Sequence, residues 1–179
     1  MKQVQHLLHD NTAELPKKAS PGKLLTAAYE VIPFDDAGRR EELDFLTRWC
    51  DGDERRSVLL LTGEGGSGKT RLMIEWCRHL RHLGWHAGFL RQDRKAEDLD
   101  PVLEGSAPRL IVLDYAETRL GVLEPLLLKL GLAAEGQGPK LLLVLLARRK
   151  TDWWDNLSGP SREVEDLLLA SPSPVRLIR

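Results

Sequence analysis

A glycine-rich segment, placed between an apolar run and a helical pattern, constrains the fold of this sequence more than any other feature. The apolar run covers residues 57–62 and reads Ser-Val-Leu-Leu-Leu-Thr. Glycine permits positive φ angles and close approach of the backbone to a ligand, so a strand can end here, turn back tightly and start a helix. Backbone N–H groups and the positive end of the helix then converge on one anion. The segment predicts a phosphate-binding loop made of Gly63, Glu64, Gly65, Gly66, Ser67, Gly68, Lys69 and Thr70.

Three side chains supply the chemistry that such a loop requires. Lys69 is expected to reach the β- and γ-phosphates of a nucleotide, and the Thr70 hydroxyl to bind the Mg²⁺ that bridges them. Another largely apolar run, at residues 109–113, leads to Asp114. A carboxylate that ends a buried strand is suited to hold the same Mg²⁺ opposite the hydroxyl. Thr70 and Asp114 are therefore the predicted metal ligands, and Lys69 and Asp114 are predicted catalytic residues.

Two other charged residues have both a catalytic and an ordinary interpretation. Glu117 is placed to orient or deprotonate the attacking water, but a glutamate in a first helical turn is also favoured by the helix dipole. Arg148 follows the apolar run 140–147, where it would stabilise charge on the γ-phosphate. It is equally consistent with a solvent-facing cation beside Arg149 and Lys150. Both residues are catalytic candidates.

Strand and helix patterns alternate along the chain. Strands are predicted at residues 57–62, 85–90, 109–114, 140–147 and 175–178. Helical patterns are predicted at residues 39–50, from the phosphate loop to residue 83, at 122–135 and at 163–170, whereas residues 91–108 are predicted to be a loop with at most a short helix. Such alternation favours an α/β fold, namely a doubly wound parallel sheet of about five strands between two helical layers. Ligands of such sheets bind at the carboxyl ends of the strands, where Gly63, Asp114 and Arg148 would meet.

The composition of the chain limits which classes of partner it is expected to bind and where in the cell it is expected to lie. The 179 residues carry a formal net charge of -1, so no global field favours nucleic acid or an anionic membrane, and no apolar run is long enough to cross a bilayer. Cys50 and Cys77 lie in helical, partly apolar stretches and are expected to be buried free thiols. These features predict a cytoplasmic protein with no membrane partner and no clear nucleic-acid partner, although a local basic patch is compatible with them.

Several matches together indicate a family. The segment from Tyr29 to Phe34, followed by Gly38-Arg39-Arg40-Glu41-Glu42-Leu43, resembles the G-R-E-x-E-L lead-in of STAND-type P-loop NTPases, the group with NACHT and NB-ARC relatives. Arg40 departs from the usual Glu. The phosphate loop, the run Leu110 to Glu117 and the strand-end Arg148 resemble the other core motifs of this group.

The resemblance implies a switch that binds ATP or ADP with Mg²⁺, with Arg39 among the nucleotide-binding residues. It implies that residues 24–179 form the NTPase core, truncated before a helical and winged-helix region, and that residues 1–23 form an arm or short helix. By the same resemblance, the full-length protein self-associates, carries effector and sensor domains outside this chain, and acts in signal transduction, including bacterial defence or regulated cell death. Tyr115 stands where many relatives carry a second acidic residue, which implies weak hydrolysis.

Three alternatives remain open at the level of sequence. A phosphotransferase would share the phosphate loop and use Arg91, Arg94 and Lys95 in a lid. A GTPase would read guanine through residues 149–152, Arg-Lys-Thr-Asp, a faint match to N-K-x-D in which Arg149 replaces the expected residue. A nucleotide-locked interaction module would hold ADP without turnover.

Overall fold

The apolar runs of the sequence form the strands of one sheet. The computed structural model describes residues 6–13, 27–30, 33–133, 138–157 and 161–177. Within these ranges lie six strands: β1 Leu8–His9, β2 Arg56–Thr62, β3 His86–Leu90, β4 Arg109–Leu113, β5 Leu141–Ala147 and β6 Val175–Arg176. Their order across the sheet is β1-β3-β4-β5-β2-β6, and only the β1–β3 pair is antiparallel. The predicted parallel α/β sheet is confirmed, and it gains a short antiparallel strand at one edge.

Helices follow the strands, as the periodicity predicts. In the described ranges the α-helices are α1 Arg40–Asp51, α2 Lys69–His82, α3 Leu120–Leu132, α4 Asp152–Asp155 and α5 Arg162–Ala170. Shorter 3₁₀ segments cover Ala27–Tyr29, Ala37–Arg39, Ala96–Leu103 and Ala116–Thr118. None of the helices in the described part of the chain has both the length and the apolar character that crossing a membrane requires.

The sheet is covered on both faces. Alternate strand residues, such as Val58, Leu60 and Ile111, point to the face where α3 and α5 pack, and their neighbours Leu59 and Leu110 join the core beneath α1 and α2. Because successive side chains of a strand point to opposite faces, a continuous apolar run serves both cores at once. The predicted three-layer arrangement is therefore confirmed.

The N-terminal region differs from the expectation of a loose arm or a short helix where it is described. Leu8–His9 form a strand that pairs with β3, and Leu7 and Leu8 are buried. An edge strand offers unpaired backbone groups, which an extended segment can satisfy. Gly88 leaves room for this pairing, because a Cβ there would lie 3.1 Å from the His9 carbonyl oxygen. Residues 1–5 and 14–26, and the predicted strand residue Ile178, lie outside the described residues.

The aromatic pair Trp153 and Trp154 lies in α4. Both rings are partly buried and pack against the core on the α3 side, with their centroids 5.9 Å apart in an edge-on arrangement. The Trp153 Nε1–H donates to the Arg149 carbonyl oxygen at 3.2 Å. Packing thus accounts for these two residues without a ligand.

The strand register sets the place of the site. Thr62 at the end of β2 pairs with Ala147 at the end of β5, and Leu113 at the end of β4 pairs with Leu145. Strand β5 therefore lies between the strand that precedes the glycine-rich loop and the strand that precedes Asp114. The residues following all three strands meet at one edge of the sheet.

Candidate functional site

The glycine-rich loop connects β2 to α2 in six residues, and at two of its positions the local structure favours glycine over any other residue. A Cβ at Gly63 would lie 2.6 Å from Ser67 Oγ and 2.9 Å from the Leu177 carbonyl oxygen. Gly68 has a φ of +89°, in the left-handed region that a side chain disfavours. The Gly68 carbonyl oxygen accepts the first helical hydrogen bond of α2, from the Leu72 N–H at 2.8 Å. The backbone thus turns tightly and enters the helix at Lys69.

The Lys69 ammonium folds over the loop that precedes it. It donates to the Gly63 carbonyl oxygen, to the Glu64 carbonyl oxygen at 3.1 Å and to Ser67 Oγ at 3.3 Å. Burial lowers the pKa of Lys69, while the Asp114 and Glu117 carboxylates act in the opposite direction. A cation held at the centre of an anion-binding loop is the arrangement that phosphate recognition requires.

Thr70 and Asp114, which are far apart in the sequence, lie in contact. The Thr70 hydroxyl donates to Asp114 Oδ2 at 3.1 Å, and the Tyr115 N–H donates to Asp114 Oδ1 at 2.9 Å. Burial raises the pKa of the Asp114 carboxyl, and these two hydrogen bonds oppose that rise. A hydroxyl and a partly buried carboxylate are hard oxygen donors of the kind that Mg²⁺ prefers, so the residues present fit this ion.

Glu117 reaches the same place through a turn after Asp114. Tyr115 has a φ of +54°, and the 3₁₀ segment Ala116–Thr118 follows it directly. Glu117 Oε1 accepts a hydrogen bond from the Arg148 N–H at 3.4 Å. Glu117 Oε2 is buried and has no hydrogen-bond partner among the residues that the structure describes. A carboxylate oxygen that is buried and unpaired is available to accept a proton or a hydrogen bond from a bound molecule.

A cavity of about 100 Å³ lies between these groups. It is smaller than the roughly 300–1,000 Å³ of sites that enclose a whole small molecule, so it suits the phosphate end of a nucleotide. Its lining is Gly65, Gly66, Lys69, Thr70, Asp114, Tyr115, Glu117, Leu146, Ala147 and Arg148.

The other predicted binding residues surround this cavity without lining it. Gly63, Ser67 and Gly68 belong to the loop but are not among the residues that line the cavity. Glu64 is exposed, and its carboxylate forms an ion pair with Arg149 at 3.1 Å. Arg39 does not line the cavity, and its guanidinium donates to the Ser67 carbonyl oxygen at 2.6 Å.

Sequence reasoning missed two features of this site. One is the left-handed backbone of Tyr115, a residue that is 54% exposed and lines the cavity. No pattern in the sequence signals a positive φ at a tyrosine. The other is the Glu64–Arg149 ion pair. This pair could have been predicted only from the fact that the end of β5 lies beside the loop, and that fact depends on the order of the strands in the sheet.

Comparison with known proteins gives a family and a fold. The model of a family described as novel STAND NTPase 5 matches residues 30–159, well over half of the chain. No curated protein sequence was found to be similar. The structure of Caenorhabditis elegans PCH-2 is similar with a TM-score of 0.51 and 13% identity, over 80% of this chain and 43% of that one. The structure of the Aeropyrum pernix ORC1 protein in complex with DNA is similar with a TM-score of 0.51 and 18% identity, over 87% of this chain and 48% of that one. This chain therefore spans less than half the length of either structure, and both likenesses concern the fold alone.

Proposed function

This chain belongs to the family described as novel STAND NTPase 5, and from that membership we propose that it binds ATP with Mg²⁺ and hydrolyses it slowly. The observation that carries the proposal is the 3.1 Å hydrogen bond between the Thr70 hydroxyl and Asp114 Oδ2. It joins the end of the phosphate loop to the end of a buried strand, and both oxygens can bind one metal ion. ATP and ADP binding would make the chain a nucleotide-dependent switch in signal transduction, and we propose bacterial defence or regulated cell death as its setting. Self-association, effector and sensor domains outside this chain, and a cytoplasmic location belong to the same proposal.

The loop residues bind and orient the phosphates. Backbone N–H groups of the loop and the N-terminus of α2 attract the oxygens, and Lys69 exchanges its contacts with loop carbonyls for contacts with the β- and γ-phosphates. Mg²⁺, when bound, neutralises charge that develops between these phosphates. Thr70 and Asp114 would hold it, with Asp114 ionised.

Glu117 and Arg148 act on the reacting end of the nucleotide. The buried Oε2 of Glu117 has no hydrogen-bond donor beside it among the described residues. A water molecule in the cavity would donate a hydrogen bond to this oxygen and, on attacking the γ-phosphate, would transfer its proton to the carboxylate. The Arg148 side chain, exposed at the cavity, would stabilise negative charge on the γ-phosphate.

Binding and turnover are tested separately. Calorimetry with ATP, ADP and GTP in the presence of Mg²⁺ should show binding that favours adenine and is lost in Lys69→Ala. Phosphate release should be lost in Glu117→Gln while ATP binding persists, because that change removes the proton acceptor and keeps the shape. Lys150→Ala is the matched control, since Lys150 is a neighbouring exposed cation that pairs with Asp155 outside the cavity.

Each contrary outcome identifies a different error. Equal binding of GTP would favour the guanine reading of residues 149–152. ADP that survives dialysis without phosphate release would identify a nucleotide-locked module, and label transferred from ATP to an acceptor would identify a phosphotransferase. Retained binding by Lys69→Ala would refute the assignment of the phosphate loop.

A further inference from the structure

Three contacts converge on the two residues that follow β5, which we call the 148–149 segment. The Gly63 N–H donates to the Arg148 carbonyl oxygen at 3.3 Å. The Arg148 N–H donates to Glu117 Oε1 at 3.4 Å. The Arg149 guanidinium pairs with the Glu64 carboxylate at 3.1 Å. Two of these contacts go to the phosphate loop, and the third goes to the candidate catalytic carboxylate.

Sheet order explains why this segment can connect the two. Strand β5 lies between β2 and β4, so the residues after it stand between the loop at 63–70 and the turn at 114–118. The peptide units of Arg148 face both ways, with the carbonyl oxygen toward Gly63 and the N–H toward Glu117. The two hydrogen bonds of Arg148 therefore connect the loop to Glu117.

The side-chain contact is chemically notable because Glu64 places a carboxylate within a loop that receives phosphates. Like charges repel, so this carboxylate opposes an incoming phosphate unless a cation lies beside it. Arg149 is that cation. Both side chains are more than half exposed, at 59% for Glu64 and 73% for Arg149, so the pair is solvated and its strength is modest.

We propose that Arg149 is a positioning residue, which holds the 148–149 segment against Glu64 and thereby couples phosphate binding at the loop to the orientation of Glu117. This inference rests on the proposed function for its consequence in catalysis. The structural part of the proposal is that the Arg149 side chain holds the Arg148 N–H in position. This part does not require a bound nucleotide.

Arg149→Gln tests the proposal kinetically. An exposed ion pair of this kind is worth a factor of about 1.4 to 5 in an equilibrium, so kcat for ATP should fall by a factor within that range. The KM and the Kd for ADP should rise by no more than a similar small factor, because the Glu64 carboxylate left without its cation repels phosphate only weakly through solvent. The fall in kcat at saturating ATP reports the orientation of Glu117. The exchanged pair Glu64→Arg with Arg149→Glu should recover kcat, and Lys150→Gln should leave it unchanged.

Hydrogen–deuterium exchange gives a readout that a loss of activity alone would not. In the nucleotide-free protein, Arg149→Gln should speed exchange in peptides that cover residues 145–151. In the wild type, ADP should slow exchange at both 145–151 and 114–119. In the variant, ADP should still slow exchange in the phosphate loop, but it should slow exchange at 114–119 less than it does in the wild type.

The outcomes separate this inference from the proposed function. Unchanged exchange at 145–151 in the nucleotide-free variant overturns the inference, whatever the activity. An unchanged kcat at saturating ATP also overturns it, even with a raised KM, because Arg149 would then affect phosphate affinity alone and not the orientation of Glu117. A wild type that binds no ADP overturns the proposed function, and the nucleotide-free exchange result still decides the structural part.

Discussion

Two glycines in the same loop should differ in how much stability the protein loses when each is replaced by alanine. A Cβ at Gly63 would lie 2.6 Å from Ser67 Oγ and 2.9 Å from the Leu177 carbonyl oxygen, whereas a Cβ at Gly65 has no neighbouring atom within 4 Å. The Leu177 oxygen belongs to the backbone that pairs with Thr62, so it cannot move without disturbing the end of β2. We therefore expect Gly63→Ala to destabilise the fold and Gly65→Ala to leave it intact.

The magnitudes follow from these distances. Overpacking a tight site costs about 1–3 kcal/mol, and the backbone contact places Gly63→Ala toward the upper end of that range. Gly65→Ala should change the free energy of unfolding by less than about 0.5 kcal/mol, or raise it slightly by restricting the unfolded chain. Gly68→Ala should cost about 1–2 kcal/mol, because its φ of +89° requires a left-handed backbone.

Urea unfolding followed by circular dichroism measures all three variants, and ADP calorimetry measures their function. Gly65 lines the cavity, so Gly65→Ala should weaken nucleotide binding while it keeps its stability. Gly63→Ala should instead lower the free energy of unfolding, so any loss of nucleotide binding in this variant would accompany a loss of stability. Equal free energies of unfolding for Gly63→Ala and Gly65→Ala would refute the steric reasoning.

Three other changes test the rest of the molecule. Arg109→Met should destabilise the fold by about 3 kcal/mol, because the guanidinium of this 3%-exposed residue satisfies the carbonyl oxygens of Pro101, Val102 and Glu104; chemical denaturation measures the loss. Tyr115→Asn should raise the melting temperature by roughly 2–4 °C, since asparagine tolerates the left-handed backbone at a gain of about 1 kcal/mol; an unchanged or lower melting temperature would contradict the strain argument. Because burial raises the pKa of Asp114 above 3.8, the folded state holds that proton more tightly than the unfolded chain. Stability from this group is full below its ordinary pKa and falls as pH rises toward the folded value, so Asp114→Asn should flatten the urea-unfolding profile measured from about pH 3 upward.

The sequence determined the local elements and the identities of most cavity residues. The phosphate loop specifies a strand before it and a helix after it, and the apolar runs at β4 and β5 specify strands buried on both faces. Periodicity placed Asp114 at the end of the first of these strands and Arg148 just beyond the second. The parallel fold and the family followed from these patterns, because each rests on residues that are close together in the sequence.

Tertiary structure decided which of these residues meet. Thr70 and Asp114 are 44 residues apart, and only the order of β4, β5 and β2 brings them to 3.1 Å. The same order places the 148–149 segment between the loop and Glu117, and leaves an edge of β3 that residues 8 and 9 cover. Local propensity acts over a few residues, whereas strand order and register depend on how the whole chain buries its apolar surface. The pairings that would turn a phosphate loop into a catalytic site are therefore set by the sheet, and no single motif contains them.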